Sequence, residues 1–236
     1  MVVFTGAGVS AESGIPTFRD RQTGLWQNFD AESLATPAAF ERDPALVWGW
    51  YEWRRCKVLA SEPNAAHRTI AALARRLPCV TLVTQNVDDL HERAGSPEVL
   101  HLHGRLCAPY CSACERAYEA AAPAEPAGGR RLEPPRCTHC GGRIRPGVVW
   151  FGESLPRRPW EQAVDAALGC DAFLSIGTSS LVEPAASLPR AAIAAGAATI
   201  QVNIDSTYLD PVATLNLRGP AASVLPRLVG EVWPES

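Results

Sequence analysis

Residues 5–20 read T-G-A-G-V-S-A-E-S-G-I-P-T-F-R-D and directly follow the apolar residues 2–4. A short apolar run before a glycine-rich turn predicts a buried strand that ends at Gly6 and Gly8. Glycine there lets the backbone approach a diphosphate closely, because no Cβ stands in the way. The dinucleotide-binding pattern G-x-G-x-x-G would need glycine in place of Ala11, and alanine is a known variant there. The stretch therefore predicts the first strand and nucleotide loop of an α/β fold.

Short apolar runs and helical patterns alternate along the rest of the chain. The predicted strands cover residues 80–84, 172–176 and 198–202, and the predicted helices cover 65–77, 160–168 and 185–195. Strands interleaved with helices predict a parallel sheet with helices on both faces, that is, a Rossmann-like α/β fold.

Two segments interrupt this alternation. One is rich in tryptophan and helical in pattern, and the other carries closely spaced cysteines. We expect both to be insertions that together make a smaller lobe, helical and zinc-binding, from residues 26–62 and 107–147. The Rossmann-like domain would then comprise residues 1–25, 63–106 and 148–236.

Four of the eight cysteines have the spacing of a metal site. Each of two C-x-x-C pairs, Cys111 with Cys114 and Cys137 with Cys140, places two thiolates on one tight turn, and two such turns make the tetrahedral sulfur site that zinc prefers. The chain between the pairs is poor in large apolar residues, so a metal is needed to hold it together. Four thiolates leave no open position for water, which predicts a structural zinc.

Three further readings of the cysteines stay open at this point. The two pairs could be redox-active, although neither begins a convincing helix after a strand. His139, inside the second pair, could replace one thiolate. The remaining cysteines have no paired spacing and are expected to be buried small residues; they are Cys56, Cys79, Cys107 and Cys170.

Composition sets broader limits on function. The chain has 236 residues, of which 47% are hydrophobic and 20% charged, as in ordinary soluble enzymes. Its net charge of −3 argues against nucleic acid as the main partner, because phosphate binding needs a basic surface. No apolar run reaches the roughly 18 residues of a membrane helix, and no leader pattern precedes the first strand. We expect a cytoplasmic enzyme with neither nucleic-acid nor membrane partners; the sequence does not indicate an oligomeric state.

Polar residues follow four of the predicted strands, where ligands of parallel sheets bind. They are Gly6 and Gly8, then Gln85-Asn86-x-Asp88, then Gly177-Thr178-Ser179-Ser180, and finally Asn203-x-Asp205. Amides and carboxylates just past a strand are suited to hold a carboxamide and ribose hydroxyls by hydrogen bonds. We therefore expect these strand ends to converge on one nucleotide-binding crevice.

The motifs together resemble those of the sirtuins, the NAD-consuming protein deacylases. The resemblance rests on residues 5–20, on T-Q-N-V-D-D-L-H at 84–91, on L-H-G at 102–104 and on G-T-S at 177–179, in the family's order. It implies that NAD is a consumed co-substrate, that one zinc is structural, and that the partners are acylated-lysine proteins or peptides. The products would be nicotinamide, free lysine and O-acyl-ADP-ribose.

The resemblance also implies the roles of individual residues. Gln85, Asn86 and Asp88 would line the ribose and nicotinamide pocket, and His103 would be the catalytic base. The diphosphate would lie over the Gly6–Gly8 turn and the adenosine near Asn203. The complete set of expected cofactor-binding residues is Gly6, Ala7, Gly8, Ser10, Thr17, Phe18, Arg19, Gln85, Asn86, Asp88, Gly177, Thr178, Ser179, Asn203 and Asp205.

Other histidines compete with His103 for the role of base. His101 would share a strand face with His103 if that run is extended, so periodicity cannot separate them, and only the L-H-G match favours His103. His91 is expected to be a helix residue bonded to the backbone, and His67 a structural hydrogen bonder. Arg105 departs from the family pattern, where a small residue is commoner, and predicts either a crowded rim or an added phosphate or substrate contact.

Two segments bear on the acyl-lysine substrate. Val148, Val149, Trp150 and Phe151 match the sirtuin edge along which the peptide lies as an added strand, although such a run could equally be an ordinary core strand.

Tyr51 and Arg54, three residues apart, would share a helix face and could bind a carboxylate together. Their Y-x-x-R pattern resembles that of the class III sirtuin subgroup, which removes malonyl, succinyl and glutaryl groups; the alternative is a surface arginine on an amphipathic helix. The resemblance thus implies a preference for acidic acyl groups with some deacetylation.

Three other functions use the same features. A mono-ADP-ribosyltransferase would send the sugar to a protein nucleophile instead of removing an acyl group. A noncatalytic NAD-binding zinc module would bind NAD without turnover. A hydride-transfer dehydrogenase would produce reduced cofactor.

Overall fold

The structure is a computed structural model that describes residues 1–17, 30–121 and 129–233; the predicted contacts Phe18 and Arg19 lie outside these ranges. The described chain contains strands in two separate sheets. The strands are β1 (Val2–Thr5), β2 (Thr81–Thr84), β3 (Leu100–His101), β4 (Tyr110–Cys111), β5 (Ile144–Arg145), β6 (Ala172–Ile176), β7 (Ala198–Asn203) and β8 (Leu215–Arg218).

The main sheet has six parallel strands in the order β3-β2-β1-β6-β7-β8. Chain order therefore reverses between β1 and β6, which is the point where doubly wound sheets open a crevice for ligands. β1 is fully buried and pairs on both sides, with Val3 opposite Leu82 and Leu174. The Rossmann-like sheet expected from the sequence is confirmed.

Helices cover both faces of this sheet and build the smaller lobe. They are α1 (Gly8–Ala11), α2 (Ala31–Leu34), α3 (Pro37–Arg42), α4 (Pro44–Ala60), α5 (Ala65–Arg76), α6 (Leu90–Arg93), α7 (Arg157–Gly169), α8 (Leu188–Ala194) and α9 (Ala221–Val232). One sheet face packs against α7 and α8, with Phe173 and Leu188 in the core. The other face packs against α5 and α9, with Ile70 and Leu225 in the core.

The two inserted segments share a core of their own. It joins Trp48, Trp50 and Trp53 of α4 to Cys111 and Ile144 of the cysteine-bearing segment. Residues 26–62 and 107–147 thus pack together where the structure describes them; the domain boundaries themselves stay a prediction.

Gly49 explains how the cysteine-bearing segment crosses α4. A Cβ at Gly49 would lie 2.1 Å from the carbonyl oxygen of Arg130, so only glycine leaves room for the crossing chain. Two residues later, Leu132 donates its N–H to the carbonyl of Ala45 on α4 at 2.9 Å.

Most predicted elements are found within one to three residues of their expected ends. The helix predicted at 185–195 differs because it opens with a 3-10 turn, Ala185–Ser187, before α8 begins with Pro189 in its first turn. No helix in the described ranges combines the length and the apolar character that crossing a membrane requires.

Candidate functional site

The carboxyl ends of β1, β2, β6 and β7 lie side by side, and the predicted polar residues follow them. Gly8 donates its N–H to the Gly177 carbonyl at 2.8 Å. A Cβ on Gly6 or Gly8 would come within 2.8 Å of Gly177 backbone atoms. The glycines are therefore required for two turns to pack against each other, which is a different reason from the close diphosphate approach inferred from the sequence.

Hydrogen bonds tie the strand ends across the crevice. The Gln85 side-chain amide donates to Thr178 Oγ1 at 2.7 Å, and the Asn203 amide donates to the Thr178 carbonyl at 2.7 Å. Residues at or just after the ends of β2, β6 and β7 thus form one connected rim around the crevice. Amide and hydroxyl groups of this kind suit a nucleotide with ribose hydroxyls and a carboxamide.

A second cluster is buried beneath the crevice. Ser10 donates its hydroxyl to Asp88 Oδ2 at 2.9 Å and accepts from the Asn86 amide at 3.1 Å. Asp88 also accepts the Leu90 N–H at 3.1 Å. Burial raises the pKa of Asp88 above its usual value, against these two hydrogen bonds, which lower it. Ser10, Asn86 and Asp88 therefore hold one another in fixed orientations.

Two histidines support this cluster from below. The Nδ1 atom of His67 accepts the Asn64 N–H at 3.3 Å, and its Nε2 lies 3.4 Å from Ser10 Oγ. The Nε2 atom of His91 lies 3.0 Å from Thr5 Oγ1, and the two imidazole rings are 4.9 Å apart. Burial lowers the pKa of His67 to about 4 and that of His91 to about 3. His67 is a structural hydrogen bonder, as expected. His91 is on a helix, but its ring bonds the Thr5 side chain and not the backbone, which corrects the expectation.

These lowered pKa values predict a loss of stability in acid. Unfolded histidine titrates near 6.5. Between about pH 6.5 and 4, His67 therefore binds a proton in the unfolded chain but not in the folded one. The free energy of unfolding falls as the pH drops through this range. The loss should approach roughly 3 kcal/mol for His67. Urea unfolding from pH 7.5 to 4 should show a shallower fall for His67→Gln than for wild type.

The comparison needs a control because protons also compete with any zinc for the thiolates. His139→Gln alters an exposed histidine and should follow the wild-type curve. Identical pH slopes in all three proteins would show that His67 does not carry this effect.

His103 lies on the crevice side, just past β3. Its Nδ1 lies 3.1 Å from the Gln85 carbonyl oxygen. A carbonyl oxygen only accepts, so Nδ1 carries the ring proton and the Nε2 lone pair is free. Among the described residues, Nε2 has no hydrogen-bond partner. Burial lowers the pKa of His103 below the ordinary histidine value, against the Gln85 hydrogen bond, which raises it. The ring is therefore neutral near pH 7 and able to accept a proton.

His101 is placed quite differently. β3 ends at His101, so the two histidines do not share a strand face. Its Nδ1 lies 3.1 Å from the Asn86 carbonyl and its Nε2 lies 2.8 Å from Glu92 Oε1, and the residue is buried. Both ring nitrogens face acceptors within the protein, so neither is available to a substrate.

Residues 148–151 run beside His103 but are not assigned as a strand. Val148 forms an isolated antiparallel bridge with Gly104, and Val149 donates its N–H to the His103 carbonyl at 2.9 Å. The alternative of an ordinary core strand is therefore wrong. Trp150 is buried whereas Phe151 is 42% exposed, so the two aromatic rings lie on opposite sides of the segment.

An ion pair holds this segment in place. Arg145 donates to both carboxylate oxygens of Glu153, at 2.6 and 2.8 Å, and to the Val148 carbonyl at 3.1 Å. Glu153 accepts the Trp150 N–H at 2.8 Å, and the Arg145 guanidinium stacks on the Trp150 ring at 3.6 Å. Sequence reasoning missed Arg145, because nothing local to it marks a partner eight residues away.

Tyr51 and Arg54 lie on α4, and Tyr51 contacts Trp150. The Tyr51 hydroxyl accepts a hydrogen bond from Trp150 Nε1 at 3.0 Å, so its own hydrogen can still be donated. Arg54 stacks over the Trp50 ring at 5.2 Å. Burial raises the pKa of Tyr51 and lowers that of Arg54, and the positive charge of Arg54 opposes the first shift. A phenol and a guanidinium in an aromatic setting can bind a carboxylate.

The four predicted cysteines meet in one cluster. Their sulfur atoms all lie within 4.8 Å of one another; Cys111 and Cys140 are 3.5 Å apart, and Cys114 and Cys137 are 3.7 Å apart. Four sulfurs bonded to zinc at about 2.3 Å would stand about 3.8 Å apart. The thiolates are thus positioned to bind a zinc ion, and His139 is exposed and outside the cluster.

The four cysteines outside the cluster were all expected to be buried, and only some of them are. Cys56 is buried and Cys170 is partly buried, but Cys79 and Cys107 are exposed. Among the remaining predicted cofactor contacts, Thr17 and Ser179 are half-buried, and Ala7 and Asp205 are exposed. All four lie on segments that follow β1, β6 or β7, and their roles stay predictions.

The chain and its fold are similar to those of several known proteins. The model of the Sir2 family matches residues 6–184. A Methylococcus capsulatus protein named NAD-dependent protein deacylase is 60% identical over 231 residues, 97% of this chain and 91% of that protein. A solved Sir2 homologue–NAD complex is 47% identical, with a TM-score of 0.90, covering 98% and 88% of the two chains. A Sir2 protein bound to acetylated peptide is 29% identical, with a TM-score of 0.82, covering 98% and 92%.

Proposed function

This chain belongs to the Sir2 family and is an NAD-dependent protein deacylase, and we propose that it preferentially removes acidic acyl groups from lysine. Malonyl, succinyl and glutaryl groups each end in a carboxylate, and acetyl would be removed less efficiently. The substrates would be acylated-lysine proteins or peptides. NAD would be consumed, giving nicotinamide and O-acyl-ADP-ribose.

The observation that carries the acyl preference is the position of Tyr51. Its hydroxyl is held by Trp150, in the segment that runs beside His103. Arg54 is one helical turn further along α4, and the charge of Asp88 acts on it. A lysine side chain that reaches the crevice past Trp150 would therefore bring its acyl end towards a phenol donor and a guanidinium. Two charge-assisted hydrogen bonds to a terminal carboxylate would favour acidic acyl groups over acetyl.

Other residues around the crevice would bind the cofactor and transfer the proton. Gln85, Asn86 and Asp88 would hold the ribose and nicotinamide by hydrogen bonds. Thr178 and Ser10 keep these three side chains in fixed orientations. Bound NAD supplies an electrophilic sugar carbon that accepts the acyl oxygen. His103 would take a ribose hydroxyl proton at Nε2 while Nδ1 stays bonded to the Gln85 carbonyl. The cysteine site would hold a structural zinc that takes no part in the chemistry.

Changing the acyl pocket should alter substrate choice more than overall activity. Tyr51→Phe removes one hydrogen-bond donor and Arg54→Met removes the charge. Each should lower kcat/KM for a succinyl-lysine peptide by about ten- to a hundredfold, because a hydrogen bond to a charged group contributes ~1.5–3 kcal/mol. Acetyl-lysine peptide should be much less affected. Mass spectrometry of succinyl-, malonyl- and acetyl-lysine peptides, with and without NAD, measures this.

The matched control is Arg76→Met, which alters an exposed side chain in the last turn of α5, at the opposite end of the sheet from the crevice. Unchanged succinyl removal in Tyr51→Phe and Arg54→Met would contradict the acidic preference. The same experiment tests the rival functions. Protein-bound ADP-ribose without acyl loss would favour an ADP-ribosyltransferase, and NAD binding without turnover would favour a noncatalytic module.

A further inference from the structure

We propose that Glu92 is a positioning residue for the deacylation step, because a single carboxylate oxygen anchors the chain on both sides of His103. Glu92 Oε1 lies 2.8 Å from His101 Nε2 and 3.4 Å from Arg105 Nη2. His101 precedes the Leu102-His103-Gly104 turn and Arg105 follows it. The inference rests on the proposed role of His103 as base.

The anchor also joins this turn to the nicotinamide side of the crevice. Glu92 lies on α6, which follows Asp88, and the Leu90 N–H at the start of α6 donates to Asp88. His101 reaches the same region through its Nδ1, which lies 3.1 Å from the Asn86 carbonyl. Glu92 therefore links the segment that carries the base to the segment expected to hold ribose and nicotinamide.

The contacts of Glu92 with His101 and Arg105 favour its carboxylate form and outweigh its burial, so that its pKa lies below the ordinary value. Its second oxygen, Oε2, is buried and has no hydrogen-bond partner among the described residues. A buried polar atom without a hydrogen-bond partner is destabilising and calls for an explanation. Burial would raise the pKa of Glu92, but the hydrogen bond and charge of His101 and the charge of Arg105 lower it. The ionised form is thus held by the two residues that flank the catalytic turn.

Other contacts set the orientation of His103 only in part. The Gln85 carbonyl lies against Nδ1, and Val149 binds the His103 carbonyl. The backbone is held as well, because Leu102 donates its N–H to the Thr84 carbonyl at 2.9 Å and Arg105 donates its N–H to the Gly147 carbonyl at 2.7 Å. Glu92 adds a side-chain anchor, which joins His101 and Arg105 across the residues that carry the base. A misplacement of about 1 Å in a catalytic group costs up to about a hundredfold in rate. Loss of the Glu92 anchor should therefore slow the step that uses His103.

The test compares two reactions of the same enzyme. Exchange of labelled nicotinamide into NAD, in the presence of acylated peptide, needs only cleavage of the glycosidic bond. Release of deacylated peptide also needs the later proton transfer to His103. Glu92→Ala should lower kcat for peptide release by about ten- to a hundredfold, with KM for NAD and the exchange rate within about twofold of wild type. Glu92→Gln keeps an acceptor for His101 and should lose less.

Glu62→Gln is the matched control, since Glu62 pairs with Arg93 of the same helix but is 84% exposed and does not contact residues 101–105. Equal losses of exchange and peptide release in Glu92→Gln would indicate a merely structural role and overturn the proposal. If both Glu92 variants released peptide at the wild-type rate while His103→Ala was inactive, the role of Glu92 would be wrong but the role of His103 as base would stand. Wild-type protein that releases no deacylated peptide would instead contradict the proposed function and this inference with it.

Discussion

Replacing His103 with alanine should lower kcat for deacylation by about 10²–10⁴-fold, the range expected for loss of a general base. NAD binding should persist, because Gln85 and Asn86 are fixed by Thr178 and Ser10 rather than by the imidazole. The expected defect is therefore in turnover. Steady-state assays with succinyl-lysine peptide and isothermal titration with NAD would measure the two quantities separately.

His139→Ala is the matched control, because His139 is exposed and lies outside the cysteine cluster. It should leave kcat and zinc content unchanged. A His103→Ala protein that keeps more than about a tenth of wild-type kcat would show that another group acts as the base. His101 would not be the next candidate, since both of its ring nitrogens face acceptors.

Removing one thiolate from the cysteine cluster should have the largest effect on stability. Cys137→Ser is expected to abolish zinc binding and to unfold the segment that carries β4 and β5. Zinc contributes about 10–16 kcal/mol to the folding of small zinc-dependent peptides. The two-stranded sheet here has only two paired residues on each strand, so backbone pairing alone cannot hold the segment together. Metal analysis and thermal unfolding would measure both effects.

The loss should extend beyond the segment itself. Ile144 and Cys111 share a core with the tryptophans of α4, and the chain at Arg130 crosses that helix at Gly49. Unfolding of the segment would expose this core and disturb Tyr51. Cys79→Ser, at an exposed cysteine outside the cluster, should leave zinc content and stability unchanged. A Cys137→Ser protein with wild-type zinc and stability would show that the cluster is not a structural metal site.

Much of the main sheet could be predicted because its signals are local. The strand predicted at 172–176 matches β6, and the one at 198–202 matches β7 to within one residue. Buried strands read as short apolar runs whatever their neighbours, and parallel pairing follows from their alternation with helices. The apolar run at 148–153 does not form a core strand: Val148 and Trp150 are buried, but an ion pair and a single bridge hold the segment instead of a strand ladder.

The residue types of the site could be identified from local spacing along the chain: four thiolates at zinc spacing, glycines at strand ends and amides after β2. Each signal lies within a few neighbouring residues, where spacing alone constrains geometry. Which histidine has a ring nitrogen open to the crevice depends on contacts with distant residues: Glu92 and Asn86 occupy His101, whereas Gln85 binds only one nitrogen of His103. Those partners lie nine or more residues away along the chain, and β3 ends between the two histidines. Periodicity along one strand carries no information about either fact.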